Sequence, residues 1–198
     1  MKVRVFKDNA EISGYVNIPE RISKRIFENG QEFYEKISEG VFRDAINRND
    51  NIKLLLNHDT TRVLGTTKDE LFLIEDDVGL FARCKIFDLD VVKKAKSGEL
   101  VGWSFGFSPL KENTNENYSD YPLRTIDSLN LYEVSILDNN HTPAYNAMSL
   151  NVRNMGVGNI EVRNINKITI DKELESEKTF DNSIFIDNIN NFLKERKK

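Results

Sequence analysis

The sequence has almost no cysteine, and this scarcity sets its first limits. Cys84 is the only cysteine among 198 residues, so no disulfide can form within the chain and a reducing compartment is expected. One cysteine and two histidines make a poor set of zinc ligands, and Asp76-Asp77 is typical of a turn rather than of a calcium loop. We therefore expect no metal site and no cofactor.

An excess of basic charge and long apolar runs are also missing. Lysine and arginine total 28 against 32 acidic residues, giving a net charge of -4 and no basic surface for nucleic acid. No apolar run approaches the length of a membrane span, and Met1 to Lys7 lacks the apolar centre of a signal peptide. These absences predict an intracellular protein with neither nucleic acid nor membrane among its partners.

Apolar residues are present in sufficient number for one core. Hydrophobic residues make up 39% of the chain and charged residues 30%, as in an ordinary globular domain. Their density falls after Leu150, where asparagine, lysine and glutamate dominate. We therefore expect a domain over residues 1–150 and an appended tail over residues 151–198, with an amphipathic helix at Ser183 to Lys197.

Hydrophobic periodicity predicts a mainly β domain with flanking helices. Alternation indicates strands along most of the domain, and helical spacing indicates short helices at Val41 to Asn47 and Leu89 to Ser97. Arg21 to Gln31 is expected to be a loop or a short helix. Lys111 to Pro122 is polar and aperiodic, which is typical of an exposed loop.

The stretch Val101 to Pro109 is the most informative of these strands. Its side chains alternate between two faces. One face is large and apolar, with Trp103, Phe105 and Phe107. The other is almost bare, with Gly102, Ser104, Gly106 and Ser108. Glycine within a strand often marks the close approach of a ligand or another backbone. The pattern can present Ser104 as a nucleophile, but it also fits a barrel strand whose small face lets a helix pack closely.

Two further residues could complete a catalytic group with Ser104. His58 continues the strand face of Leu54 and Leu56, and Glu133 lies in a stretch that is apolar on both faces. A buried imidazole or carboxylate costs several kcal/mol unless it is partnered, so each is the natural partner of the other. A carboxylate on one ring nitrogen leaves the other able to accept a proton from a hydroxyl about 3 Å away.

Each of these residues has a simpler interpretation. His58 also fits a satisfied histidine at a strand end, and Glu133 fits a salt bridge to a neighbouring lysine or arginine.

His141 could replace Glu133 as the residue that orients His58. Cys84 alternates with apolar residues along a strand, which indicates a packed thiol rather than a nucleophile. Spacing alone does not show that the three candidate residues meet.

Several short motifs follow one another along the chain. They are Gly14-Tyr15, Asn57-His58-Asp59, Leu64-Gly65, Asp77-Val78-Gly79-Leu80, Ser104-Phe105-Gly106-Phe107, Glu133-Val134-Ser135 and Pro143-Ala144-Tyr145. Taken in this order, the set resembles the caudovirus prohead (capsid maturation) serine proteases. The resemblance covers about residues 10 to 148, and Gly40-Val41-Phe42 is similar to the family's Gly-Ala-Phe, with valine in place of alanine.

The resemblance implies an activity, a site and a fold. His58 would be the base, Ser104 the nucleophile and Glu133 the third member of the triad, with Gly106 and the backbone after Leu137 as candidate oxyanion donors. The fold would be mainly β with flanking helices, α+β in class, built on a closed or nearly closed β-barrel similar to that of the herpesvirus capsid assembly protease.

The resemblance also implies substrates and a location. Such enzymes act inside the immature capsid in the host cytoplasm, cutting scaffold or a scaffold-like segment of the major capsid protein, and often themselves. The tail after Leu150 matches none of these motifs, and it could be a packaging or scaffold segment that is later removed. The herpesvirus relatives suggest a homodimer. The alternative is a non-catalytic assembly or scaffolding factor that keeps the protease fold.

Overall fold

Alternating apolar residues fold most of this chain into strands. The structure is a computed structural model, and it describes residues 1–139, 161–164 and 171–173. The first eight strands are β1 (Lys2–Val5), β2 (Ala10–Asn17), β3 (Ile26–Glu28), β4 (Gln31–Ile37), β5 (Lys53–Leu56), β6 (Val63–Thr66), β7 (Leu71–Glu75) and β8 (Leu80–Ile86). The others in these ranges are β9 (Leu100–Asn115), β10 (Leu123–Asp138), β11 (Glu161–Asn164) and β12 (Asp171–Glu173). The helices there are α1 (Val41–Arg48) and α2 (Leu89–Ser97).

A five-stranded sheet forms one layer, in the order β12-β1-β2-β8-β7. Its ladders are antiparallel except for the parallel pair of β1 and β12. In β8 alternate residues are buried, from Leu80 through Ala82 and Cys84 to Ile86. This period of two is what a sheet with one covered face requires.

A seven-stranded sheet forms the second layer, and β10 runs through its middle. The order is β11-β9-β10-β4-β3, with β5 also paired to β10 and β6 paired to β5. The first part of β10 runs parallel to β4, and Glu133 to Ile136 run parallel to β5. The antiparallel neighbour β9 lies along the other edge of β10. This central place explains why β10 is apolar on both faces.

The core lies between these layers and contains the aromatic face of β9. Trp103, Phe105 and Phe107 are fully buried, as the alternation predicted. Phe42 of α1 meets Phe105 edge to face, with ring centroids 5.4 Å apart. Such aromatic pairs add about 0.5–1.5 kcal/mol beyond the area they bury. The aromatic residues therefore hold β9 firmly from one side.

The expectation of a closed or nearly closed β-barrel is wrong. A barrel requires the end strands of a sheet to pair with each other. Within the described residues, no ladder joins β12 to β7 or β11 to β3, and none joins the two sheets. Helix α1 packs against both β10 and β7, so a helix occupies one margin between the sheets. The architecture is α+β, with two open sheets over a shared core.

The two helices predicted within residues 1–150 are confirmed. Helix α2 shows which residues mark its two ends. The Asp88 side chain accepts hydrogen bonds from two backbone amides of the first turn. Gly98 ends the helix with φ of 76°, a left-handed conformation that glycine adopts without steric cost. Neither helix in the described part of the chain is long and apolar enough to cross a bilayer.

Two loop predictions are only partly right. Strand β3 lies within Arg21 to Gln31 and forms a hairpin with β4, because Asn29 and Gly30 take the left-handed conformation that a tight turn needs. Strand β9 continues to Asn115, so the loop expected at Lys111 to Pro122 begins later. The helix predicted at Ser183 to Lys197 lies outside the described residues.

Candidate active site

The imidazole of His58 is supplied by a tight turn rather than by a strand. The sequence pattern extended the strand face to His58, but β5 ends at Leu56. Asn57 and His58 then take φ values of 54° and 61°. Asparagine and histidine take this left-handed conformation more often than most residues, but it still costs a non-glycine residue about 1–3 kcal/mol. Surrounding contacts must therefore hold the turn.

Hydrogen bonds between this turn and β10 keep the turn in this conformation. The Asn57 amide donates to the carbonyl of Ile136 at 2.9 Å, and the Asp138 amide donates to Asn57 Oδ1 at 3.0 Å. The amide of His58 donates to the hydroxyl of Ser135 at 3.1 Å. The turn is thus fastened to the end of the central strand.

His58 and Glu133 form a buried pair. The His58 Nδ1 atom lies 2.7 Å from Glu133 Oε1, and the two residues are 8% and 7% exposed. A carboxylate accepts hydrogen bonds, so the proton of the neutral ring lies on Nδ1. The other nitrogen, Nε2, is buried and has no hydrogen-bond partner among the described residues. In this tautomer Nε2 is the atom that can accept a proton.

The second oxygen of the Glu133 carboxylate is also bonded. The hydroxyl of Ser135, a fully buried residue two positions along the same strand face, donates to Glu133 Oε2 at 2.7 Å. One hydroxyl therefore contacts the carboxylate and the backbone of His58. Sequence reasoning missed this role, although the spacing of two along a strand could have indicated it.

Gly106 provides the space for the carboxylate. It lies directly across the β9–β10 ladder from Glu133. A Cβ atom there would collide with Oε1 and lie 3.1 Å from the Cγ and Cδ atoms of Glu133. The ladder also shifts register between Leu131 and Glu133. Bulges of this kind redirect side chains and are frequent beside active sites.

Ser104 lies on the strand next to this pair. It is fully buried and pairs directly with Ser135 across the β9–β10 ladder. Directly opposed residues point to the same sheet face, with Cα atoms about 4.5–5.5 Å apart. Ser104, Ser135 and Glu133 therefore share one face. On its other edge β9 pairs with β11, where Asn164 lies opposite Ser104.

The remaining candidates have separate outcomes. His141 lies outside the described residues. Cys84 is buried and its thiol contacts the carbonyl of Ile12 at 3.6 Å, which confirms a packed thiol. Burial strongly raises the pKa of the Cys84 thiol, so the reactive thiolate is disfavoured. In the ranges that the structure describes, no group of three or more acidic, histidine or cysteine side chains could hold a metal ion.

Comparison with known proteins agrees with the motifs read from the sequence. The model of the caudovirus prohead serine protease family matches residues 1–162, which include the whole range of the resemblance. Searches of curated proteins and of solved structures gave no match. Because the family match spans most of the chain, this protein belongs to the caudovirus prohead serine proteases, the proteases of phage head maturation.

Proposed function

We propose that this chain is a serine endopeptidase that uses Ser104, His58 and Glu133 as its triad. The observation that carries the proposal is the buried contact of 2.7 Å between His58 Nδ1 and Glu133 Oε1, which leaves Nε2 without a partner among the described residues. Ser104 supports it from the adjacent strand, on the same face as Glu133. The family membership gives this arrangement its chemistry.

The reaction follows from the roles of these groups. The Ser104 hydroxyl oxygen attacks the scissile carbonyl carbon while His58 Nε2 takes the hydroxyl proton. Glu133 stabilises the imidazolium that forms. The C–N bond then breaks, and Nε2 returns the proton to the leaving amine. A water molecule, activated by the same nitrogen, hydrolyses the acyl-enzyme and restores the Ser104 hydroxyl.

The substrates are the proteins of the immature capsid. In this proposal the chain cuts scaffold, or a scaffold-like segment of the major capsid protein, inside the prohead in the host cell. It also cuts itself within the tail, residues 151–198. The nucleophilic hydroxyl must reach the scissile carbonyl of the substrate. Ser104 is fully buried, so its hydroxyl must become accessible when a substrate binds.

Intact mass tests this function directly. The chain is expressed with its capsid protein as wild type, as Ser104→Ala and as Ser38→Ala. Ser38 is a matched control, because its hydroxyl also bonds a carboxylate, donating to Asp127 Oδ1 at 2.8 Å, and that carboxylate is not one of the triad. Wild type and Ser38→Ala should yield the same shortened products, and Ser104→Ala should yield none.

Two results would change the proposal. Processing that survives in Ser104→Ala removes this residue from the nucleophile role. If wild type leaves both itself and the capsid protein intact inside assembled proheads, the non-catalytic assembly factor replaces the protease. The masses of the products also give the position of each cut.

A further inference from the structure

The hydroxyl of Ser135 makes two hydrogen bonds, one to each residue of the His58–Glu133 pair. It donates to Glu133 Oε2 at 2.7 Å and accepts from the backbone amide of His58 at 3.1 Å. The residue is fully buried, so water does not substitute for either bond. A single oxygen thus connects the two members of the buried pair by a second route, beside their direct contact.

This second route acts where the backbone is strained. His58 has φ of 61°, a conformation that a histidine adopts only when its surroundings hold it. Rotation of the peptide before His58 would move the imidazole away from Glu133. The Ser135 hydroxyl opposes that rotation by holding the amide of this peptide. It does so from β10, which is paired with β9 on one edge and β5 on the other.

The same hydroxyl fixes the carboxylate. Glu133 Oε1 accepts a hydrogen bond from His58 Nδ1, and Oε2 accepts one from the Ser135 hydroxyl, so both oxygens have a donor. A buried carboxylate oxygen that loses its donor gains by rotating toward another one. Such rotation would take Oε1 away from Nδ1. The Ser135 bond therefore selects the orientation in which Oε1 meets the ring.

We propose that Ser135 is a positioning residue of the protease, holding the imidazole of His58 and the carboxylate of Glu133 in register through its two hydrogen bonds. The inference rests on the proposed function of these two residues. Ser135 is not itself the nucleophile, because it contacts His58 at the backbone amide and never at Nε2. Its own proton is directed at Glu133.

Three substitutions test this role by changing the hydroxyl. Ser135→Ala removes both bonds, Ser135→Cys keeps the size but offers only a weak donor, and Ser135→Thr keeps the hydroxyl. Ser38→Ala removes a serine-to-carboxylate bond of similar length elsewhere. The processing rate of the co-expressed capsid protein should fall about 10- to 100-fold in the alanine and cysteine variants, the value of a hydrogen bond to a charged group. The threonine and Ser38→Ala variants should stay close to wild type.

A spectroscopic readout separates positioning from general stability. Each substitution is repeated in the Ser104→Ala chain, which does not cut itself, and the low-field proton resonance of His58 Nδ1 is recorded by NMR. This resonance should be present in Ser104→Ala and with Ser135→Thr, and lost with Ser135→Ala and Ser135→Cys. If the alanine variant does not fold, the threonine and cysteine variants still give the comparison.

The outcomes divide clearly. Wild-type processing and an unchanged resonance in Ser135→Ala, or equal behaviour of the cysteine and threonine variants, would overturn the positioning role. A folded Ser135→Ala chain that is as inactive as Ser104→Ala would make this hydroxyl part of the chemistry, which also overturns it. Failure of the proposed function would be detected by a separate result, namely processing that continues in the single variant Ser104→Ala.

Discussion

The two sheets bury different kinds of side chain. In the described part of the five-stranded sheet the buried side chains are apolar, with Cys84 among them. The buried polar residues lie in strands of the seven-stranded sheet or in the turn after β5; they are Glu28, Glu35, His58, Ser104, Glu133, Ser135 and Asp138. One layer therefore buries apolar residues, and the other also carries the polar residues of the proposed triad.

Polar burial alone does not identify the site within the seven-stranded sheet. Glu35 meets the guanidinium of Arg124 at 3.2 Å, and Asp138 meets the ammonium of Lys94. These pairs offset the cost of burying charge and need no further role. His58 differs, because one of its nitrogens has no partner among the described residues. Among the seven buried polar residues named above, this unpartnered nitrogen, which can accept a proton, separates the catalytic candidate from the structural ion pairs.

The largest expected effect comes from exchanging one buried carboxylate of this sheet, that of Glu133, for an amide, with Glu35 as the structural counterpart. Glu133→Gln should lower the processing rate about 10³- to 10⁴-fold, because an amide disturbs the tautomer and orientation of the base. Glu35→Gln, which weakens the ion pair with Arg124, should lower stability and leave the rate of the folded chain unchanged. Processing of the capsid protein and thermal unfolding are measured for both. Similar losses of rate would mean that Glu133 is another structural carboxylate.

A smaller effect is expected from adding a methyl group at Gly106. The new Cβ atom displaces Glu133 Oε1, so Gly106→Ala moves the carboxylate from His58. It also lowers stability, because the buried carboxylate is pulled from its donors. A shift of about 1 Å in a catalytic group can lower activity about 100-fold. Gly30→Ala is the counterpart, because φ there is 81° with no atom within 4 Å of the new Cβ. It should lower stability by about 1 kcal/mol and leave processing unchanged. Unchanged processing in Gly106→Ala, with a loss of processing in Gly30→Ala, would show that the Glu133 carboxylate does not need the space at Gly106.

The smallest effect is expected in the five-stranded sheet. Cys84→Ala removes a buried thiol with a raised pKa and should leave the processing rate at the wild-type value. In the wild-type chain a thiol reagent should label Cys84 only as fast as the protein unfolds, which is measured across a denaturant series. Rapid labelling of the native chain, or loss of processing in the variant, would mean that chemistry is not confined to the other sheet.

Much of the local structure could be predicted because burial leaves a period in the sequence. Alternation along β9 correctly separated Trp103, Phe105 and Phe107 from Ser104 and the glycines. The contact between His58 and Glu133 also followed from a local argument, since two ionisable residues among apolar neighbours need each other. These predictions depended on what each residue costs to bury.

The rest depended on long-range pairing and on backbone conformation. Barrel closure was wrong because the alternation in a strand does not say which strand will pair with its edge. The left-handed turn at Asn57 and His58 escaped prediction, since a histidine there carries no turn signal of its own. Ser135 was missed because a neutral hydroxyl costs less to bury than an ionised group, so the argument that paired His58 with Glu133 did not extend to it.

The central claim is that a hydroxyl on β9 is the nucleophile activated by the His58–Glu133 pair. Its most direct test is to treat assembled proheads with a fluorophosphonate and to locate the covalent adduct by peptide mass mapping. We expect an adduct on Ser104 that disappears in the His58→Ala chain. An adduct on another serine, or labelling of Ser104 that does not depend on His58, would contradict it.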